Sequence, residues 1–203
     1  MFTMRFPFPA LFAAIALGMA PAWADKADRG KPMTLESDQP CTVSLLKQTS
    51  VCSGNVVISQ GTLQIRADRL ELRQTPQGYQ VALALGSAAK PASYRQKRDG
   101  ADEFVEGQAQ RIDYDSKVGT LRFEGAAVVR RLRGSVVADE IQGAVILWDS
   151  AAESFNVQGG AKTDSNPTGR VRAVITPRTP DDAASAPSGA GTLKPSSSLG
   201  DRR

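Results

Sequence analysis

Histidine is absent from the 203 residues, cysteine occurs twice and aromatic residues make up 6% of the chain. Without histidine no Ser-His-Asp or Cys-His site can be assembled, and zinc loses its commonest nitrogen ligand. So few aromatics leave no stacking platform for a nucleic acid, and apart from Arg130, Arg131 and Arg133 the basic side chains are dispersed. There is no phosphate-cradling glycine loop and no dinucleotide fingerprint. These absences argue against a metal, a cofactor, a nucleic-acid partner and an enzyme. Four carboxylates remain as chemical candidates. Asp68 and Asp139 stand at repeated corners, where an Asp side chain commonly bonds backbone amides. Asp113 and Asp115 flank Tyr114 and should point to solvent.

Long apolar runs are missing except at the start of the chain. Met1 to Ala24 has one positive charge at Arg5, an apolar stretch from Phe6 to Ala20 and a small-x-small cleavage pattern at Ala22-Trp23-Ala24. It reads as an export signal, so the mature chain is expected to begin near Asp25, outside the cytoplasm. From Thr176 onward Pro, Ser, Ala, Gly and Thr dominate, and residues 178–203 are expected to stay a disordered tail. One domain is left, residues 25–177. Taking Arg5 from the 25 basic residues leaves 24 against 21 acidic ones, a mature charge of +3 that suits an anionic ligand without demanding one. An isolated cysteine pair in an exported chain reads as a disulfide. Cys41 and Cys52, with Val43, Leu45 and Val51 between them, fit a bridge across a hairpin.

What the chain does have is a phrase used twice. Gly54-Asn55-Val56-Val57-Ile58 leads to Ala67-Asp68, and Gly125-Ala126-Ala127-Val128-Val129 leads to Ala138-Asp139, with the same spacing from glycine to alanine. A glycine, a strand-forming run and an Ala-Asp step look like one reused unit of an all-β architecture. Period-two alternation supports this along the whole middle of the chain: Leu63, Ile65 and Ala67; Tyr79, Val81, Leu83 and Leu85; Ile112 and Tyr114; Leu121 and Phe123; Ile141, Val145 and Leu147. The inward set then switches parity, from Ala67 to Leu70 and Leu72, which implies a bulge or corner near Asp68. Related corners are expected near Asp38, Gln110 and Asp139. Such an aliphatic interior describes an ordinary core and a groove for acyl chains equally well.

Pro32-Met33-Thr34-Leu35-Glu36-Ser37-Asp38, the run Gly54 to Asp68, Lys90-Pro91-Ala92-Ser93-Tyr94 and Val105-Glu106-Gly107-Gln108-Ala109, in this order, resemble the LptA family of periplasmic lipopolysaccharide-transport proteins and its OstA-like domain. The resemblance runs from Pro32 to about Pro177. It departs from better-known members in the Cys41–Cys52 hairpin and in the tail. It implies an open, twisted β-jelly roll of about sixteen short strands whose interior holds the acyl chains of lipopolysaccharide. It also implies end-to-end stacking into a head-to-tail homo-oligomer by strand addition, between an LptC-like partner at the inner membrane and an LptD-like partner at the outer membrane. Retaining acyl chains needs no chemistry, because each buried methylene contributes about 0.8 kcal/mol.

By this resemblance Met33, Leu35, Tyr94 and Tyr114 match lipid-facing positions. Alternation adds Val56, Ile58, Leu63, Ile65, Ile112, Leu121 and Phe123 as lining candidates. An edge strand offers unpaired backbone to another chain, so the expected docking edges are Met33, Thr34, Leu35, Glu36 and Ser37 at one end and Arg170, Val171, Arg172, Ala173, Val174 and Ile175 at the other. Arg130, Arg131 and Arg133 are candidates for lipid phosphates or for a solvated charged face. Two other readings compete: a β-sheet scaffold or adaptor without lipid cargo, and a β-helical carbohydrate-active enzyme resting on the repeats and Asp residues alone.

Overall fold

A computed structural model describes residues 28, 30–98, 102–162 and 168–177; the segments read as export signal and tail lie outside them. Every element among the described residues is a β-strand: β1 Met33–Glu36, β2 Thr42–Ser44, β3 Thr49–Gln60, β4 Leu63–Gln74, β5 Gln80–Leu85, β6 Ala92–Lys97, β7 Glu103–Ala109, β8 Arg111–Asp115, β9 Thr120–Arg133, β10 Val136–Asp149, β11 Ser154–Gln158 and β12 Arg172–Ile175. All their pairings are antiparallel and all belong to a single sheet.

Four of these strands are far longer than the rest, and each changes partner part-way along. One end of β3 pairs with β1 and the other with β2; β4 is divided between β6 and β5, β9 between β7 and β8, and β10 between β12 and β11. The sheet is thereby creased into two half-sheets. Half-sheet I runs β1-β3-β4-β6-β7-β9-β10-β12, and half-sheet II runs β2-β3-β4-β5-β8-β9-β10-β11. Dividing the long strands at the crease recovers the expected sixteen short segments. Their apolar faces pack on each other, as a jelly roll requires.

The repeated phrase supplies the crease. Gly54 and Asn55 have φ of 76° and 46°, and Gly125 and Ala126 have 84° and 49°. Two consecutive left-handed residues cannot hold a pleat, so the ladder slips one residue between Ser53 and Val56, and again opposite them between Gly143 and Val145. Glycine is needed for space too: a Cβ on Gly54 would stand 2.7 Å from Cγ of Gln39. Backbone bonds carry the crease across neighbouring strands, from the Asp38 amide to the Gly54 carbonyl at 2.9 Å and from the Gln110 amide to the Gly125 carbonyl at 3.0 Å.

Three of the four expected corners therefore lie on the crease, at Asp38, Asp68 and Gln110. Asp139 does not. β10 crosses the crease at Ala144, while Asp139 sits mid-strand opposite Arg131 on β9 and Ile175 on β12, at a separate bulge where the ladder with β9 slips between Val137 and Asp139. The common spacing conceals a difference in hairpin length. The short Gly61 turn returns β4 to the crease at Asp68, whereas the β9–β10 hairpin is longer and returns later. Among the described residues Asp68 bonds no backbone amide, its carboxylate pairing instead with Lys90 Nζ at 2.8 Å, whereas Asp139 accepts one as expected, from Thr176 at 3.1 Å.

Two strands turn the opposite face inward from the one their larger residues predict. On β5, Ala82 and Ala84 are buried while Val81, Leu83 and Leu85 are half-buried on the outside, and Tyr79 is exposed. On β10 this holds beyond the crease, where Ile146 and Trp148 are buried while Val145 is half-buried and Leu147 exposed; Ile141, before the crease, packs against the core as expected. Leu83 lies between Glu71 and Asp113 in the ladder, amid the outer ion pairs Arg69–Glu71 and Arg111–Asp113. Long arginine stems can shelter such a leucine without a hydrophobic layer above it.

Candidate functional site

The registers place the inward residues in continuous rows. Across half-sheet I one row reads Leu35, Ile58, Ile65, Tyr94, Gly107, Val129, Ile141 and Ala173. Across half-sheet II one reads Cys52, Leu70, Ala84, Ile112, Phe123, Ile146 and Val157, and a second reads Leu72, Ala82, Tyr114, Leu121, Trp148 and Phe155. No charged residue interrupts any of the three. With about 4.8 Å between strands, an eight-residue row spans roughly 34 Å. The outer face is the reverse. Arg95, Glu106, Arg130 and Glu140 stand side by side, with Arg95–Glu106 and Arg130–Glu140 ion pairs and a 2.7 Å contact in the latter.

Of the eleven sequence-predicted lining residues, nine are at most 7% exposed: Val56, Ile58, Leu63, Ile65, Tyr94, Ile112, Tyr114, Leu121 and Phe123. The middle of the interior is therefore filled by side chains. Phe123 sits at its centre, edge-on to Tyr94 at 6.1 Å between ring centroids. A Cβ at Gly107 would run into the Phe123 ring, so the glycine lets the two half-sheets approach. Tyr94 keeps its hydroxyl bonded by donating to Gln96 Oε1 at 2.6 Å.

Met33 and Leu35 differ from the other nine. They are half-buried and open onto a cavity of about 380 Å³ at the β1/β2 end, shared with Leu72, Val43 and Leu45 and rimmed by Ser44, Gln48, Thr49, Ser50, Gln74 and Gln80. None of these eleven lining residues is charged. Leu72 was marked by the parity switch after Ala67. Trp148, Phe155 and Val157 form the far end, with Trp148 stacked on Phe155 at 4.2 Å.

Around this interior the polar groups are structural. Cys41 and Cys52 form a disulfide at the base of the β2–β3 hairpin, as expected. Asp28 accepts from the Thr62 amide at 3.0 Å and pairs with Lys31 at 2.9 Å. Burial opposes its ionisation, but the bonds from Thr62, Lys31 and Gln96 outweigh that and hold its carboxyl below the ordinary value. The arginines considered for lipid phosphates already have protein partners: Arg130 pairs with Glu140, Arg131 with Asp139, and Arg133 with Glu103 at 3.4 Å. The bond from Arg130 lowers the Glu140 carboxyl against the opposing effect of burial, helped by Gln142 and by the charge of Arg172. Glu140 thereby tethers β12, whose Arg172 lies 3.5 Å away.

Each expected docking edge is paired on one side only among the described residues. β1 meets β3, and β12, exposed along its whole length, meets β10. The first edge ends at Glu36, because Ser37 already turns into the crease, its hydroxyl donating to the Gln39 carbonyl at 2.6 Å. The last begins at Arg172, with Arg170 and Val171 ahead of the strand.

A creased antiparallel sheet with an uncharged trough fits a known profile. Residues 34–152 match that of the LptA/(LptD N-terminal domain) LPS transport protein family. The chain belongs to this family. The lipopolysaccharide export system protein LptA of Escherichia coli K12 is 28% identical over 149 residues, covering 73% of this chain and 78% of that protein. LptA of Haemophilus influenzae is 24% identical over 165 residues, covering 81% and 88%. The crystal structure of LptH, the LptA-homologous periplasmic component of the lipopolysaccharide transport device of Pseudomonas aeruginosa, superposes with a TM-score of 0.60 at 22% identity, covering 74% of this chain and 99% of LptH. That similarity establishes the shared fold. The family's jelly roll is the one expected from the ordered motifs between Pro32 and Pro177.

Proposed function

We propose that this chain is a periplasmic carrier that holds the acyl chains of lipopolysaccharide between its two half-sheets on the way from the inner to the outer membrane. The observation that carries this reading is the set of uncharged rows, running unbroken from β1 to β12 on half-sheet I and from β3 and β4 to β11 on half-sheet II. A trough of this kind shields hydrocarbon from water along its length, while the charged outer face keeps the protein solvated. The names of its relatives, all lipopolysaccharide export or transport components, support the same cargo. Because side chains fill the middle of the interior, loading requires the half-sheets to part about the crease, starting from the cavity at Met33 and Leu35.

The half-paired edges support the rest of the reading. β1 of one copy adds to β12 of the next, extending the rows from module to module, with LptC-like and LptD-like partners capping the two ends. A photo-crosslinking residue at Leu35 or Tyr94, in protein purified from a lipopolysaccharide-containing host, should yield a lipid adduct. No adduct at either position would sink the carrier reading and favour a scaffold without cargo. Deleting 170–175 should lower the concentration-dependent mass in solution; an unchanged mass would remove β12 from the interface.

A further inference from the structure

The β2–β3 hairpin displays apolar side chains that the fold does not bury. Val43, Leu45 and Leu46 are 58%, 88% and 95% exposed, at and beside a turn where burial would be expected of leucines. Val43 and Leu45 are nevertheless part of the wall of the 380 Å³ cavity, facing Met33, Leu35 and Leu72. A leucine that walls a cavity and also meets water has apolar surface that an occupant of the cavity would cover.

The hairpin is held firmly in this position. Cys41–Cys52 closes its base, the Ser44 hydroxyl accepts from the Lys47 amide at 3.3 Å across its turn, and the Gln74 amide donates to the Gln48 carbonyl at 2.9 Å, tying it to β4. Its apolar tip is thus presented at the cavity mouth rather than left to collapse elsewhere.

We infer that this hairpin is a lip for one acyl chain: Val43 and Leu45 close over the end of a chain lying in the cavity, with Leu46 covering it from the tip. The occupant is hydrocarbon, since the lining carries no charge and is continuous, through Leu35 and Leu72, with the interior rows. The cavity lies at the lower end of the roughly 300–1,000 Å³ typical of small-ligand pockets, which suits a single chain. This inference rests on the carrier reading and adds to it a site for one chain, built from the hairpin in which this sequence departs from better-known members.

The test is a titration of the mature chain with purified lipopolysaccharide, using displacement of a pyrene-labelled fatty acid as the signal. Three proteins are compared: the unchanged chain, Leu45→Ser with Leu46→Ser, and Leu35→Glu. The lip variant should melt at the unchanged temperature, since both side chains are exposed, yet bind about tenfold more weakly. Full affinity in the lip variant together with weakened binding in Leu35→Glu overturns the lip alone. No binding by the unchanged chain overturns the carrier reading and the lip with it. Normal binding with a lowered assembly mass in the lip variant assigns the leucines to a second copy and also overturns the proposal.

Discussion

The middle of the interior and its β1/β2 end are built from the same kinds of residue but are packed differently. Around Phe123 the two half-sheets meet through Tyr94 and Gly107, and the side chains leave water almost no access. Met33 and Leu35 pack against the edge of that core and open on their other side onto an uncharged cavity. Composition cannot separate a core from a groove; the distance between the two facing sheets does. A carrier built this way is stable when empty because its middle closes on itself, and receptive because one end does not.

Substitutions should expose that contrast. Phe123→Ala leaves a large void at the closed centre and should cost about 3–5 kcal/mol in urea unfolding, whereas Leu35→Ala at the open end should cost roughly 1 kcal/mol. Equal costs would mean that the two regions are packed alike. Replacing Cys41 and Cys52 together by Ser removes a cross-link spanning 11 positions and should cost about 2.8 kcal/mol by loop entropy, with the loss concentrated in the hairpin at the open end. Hydrogen exchange checks the location: amides of β2 should lose protection and those of β8 should keep theirs.

Acid should act at the turn between β3 and β4, where Asp28 is held. The fold favours ionised Asp28, so its contribution is fully present above the ordinary carboxyl pKa and fades as pH falls through the lowered value. Asp28→Asn should cost roughly 1–2 kcal/mol at neutral pH and flatten the loss of stability seen in wild type below about pH 4. Thr62 exchange is the local readout, since its amide is bonded to Asp28.

Much of this architecture was legible in the residues. The β class, the parity switch after Ala67 and the buried state of seven lining candidates follow from alternation, because a half-buried strand must place every second residue inside; Tyr94 and Tyr114 follow from the family resemblance, and the disulfide from an isolated cysteine pair in an exported chain. The misread features share a physical cause. On β5 the inner face is alanine, as the narrow interior opposite Ile112 and Tyr114 demands, so the bulkier outer residues dominate the pattern. On β10 the crease lies at Ala144, five residues beyond the Ala-Asp step that seemed to mark it, because strand length sets where a crease falls. The lip needed the fold to be seen: Leu45 and Leu46 resemble any apolar pair until the cavity beside them is known.

The central claim is that the half-sheets part to admit acyl chains, and a distance measures it most directly. Spin labels at Gln108 on half-sheet I and Arg122 on half-sheet II, both on exposed positions, report the separation of the two by pulsed electron resonance. The distance should lengthen once lipopolysaccharide is bound and return to its starting value on removal. An unchanged distance in protein shown to carry bound lipopolysaccharide would contradict it.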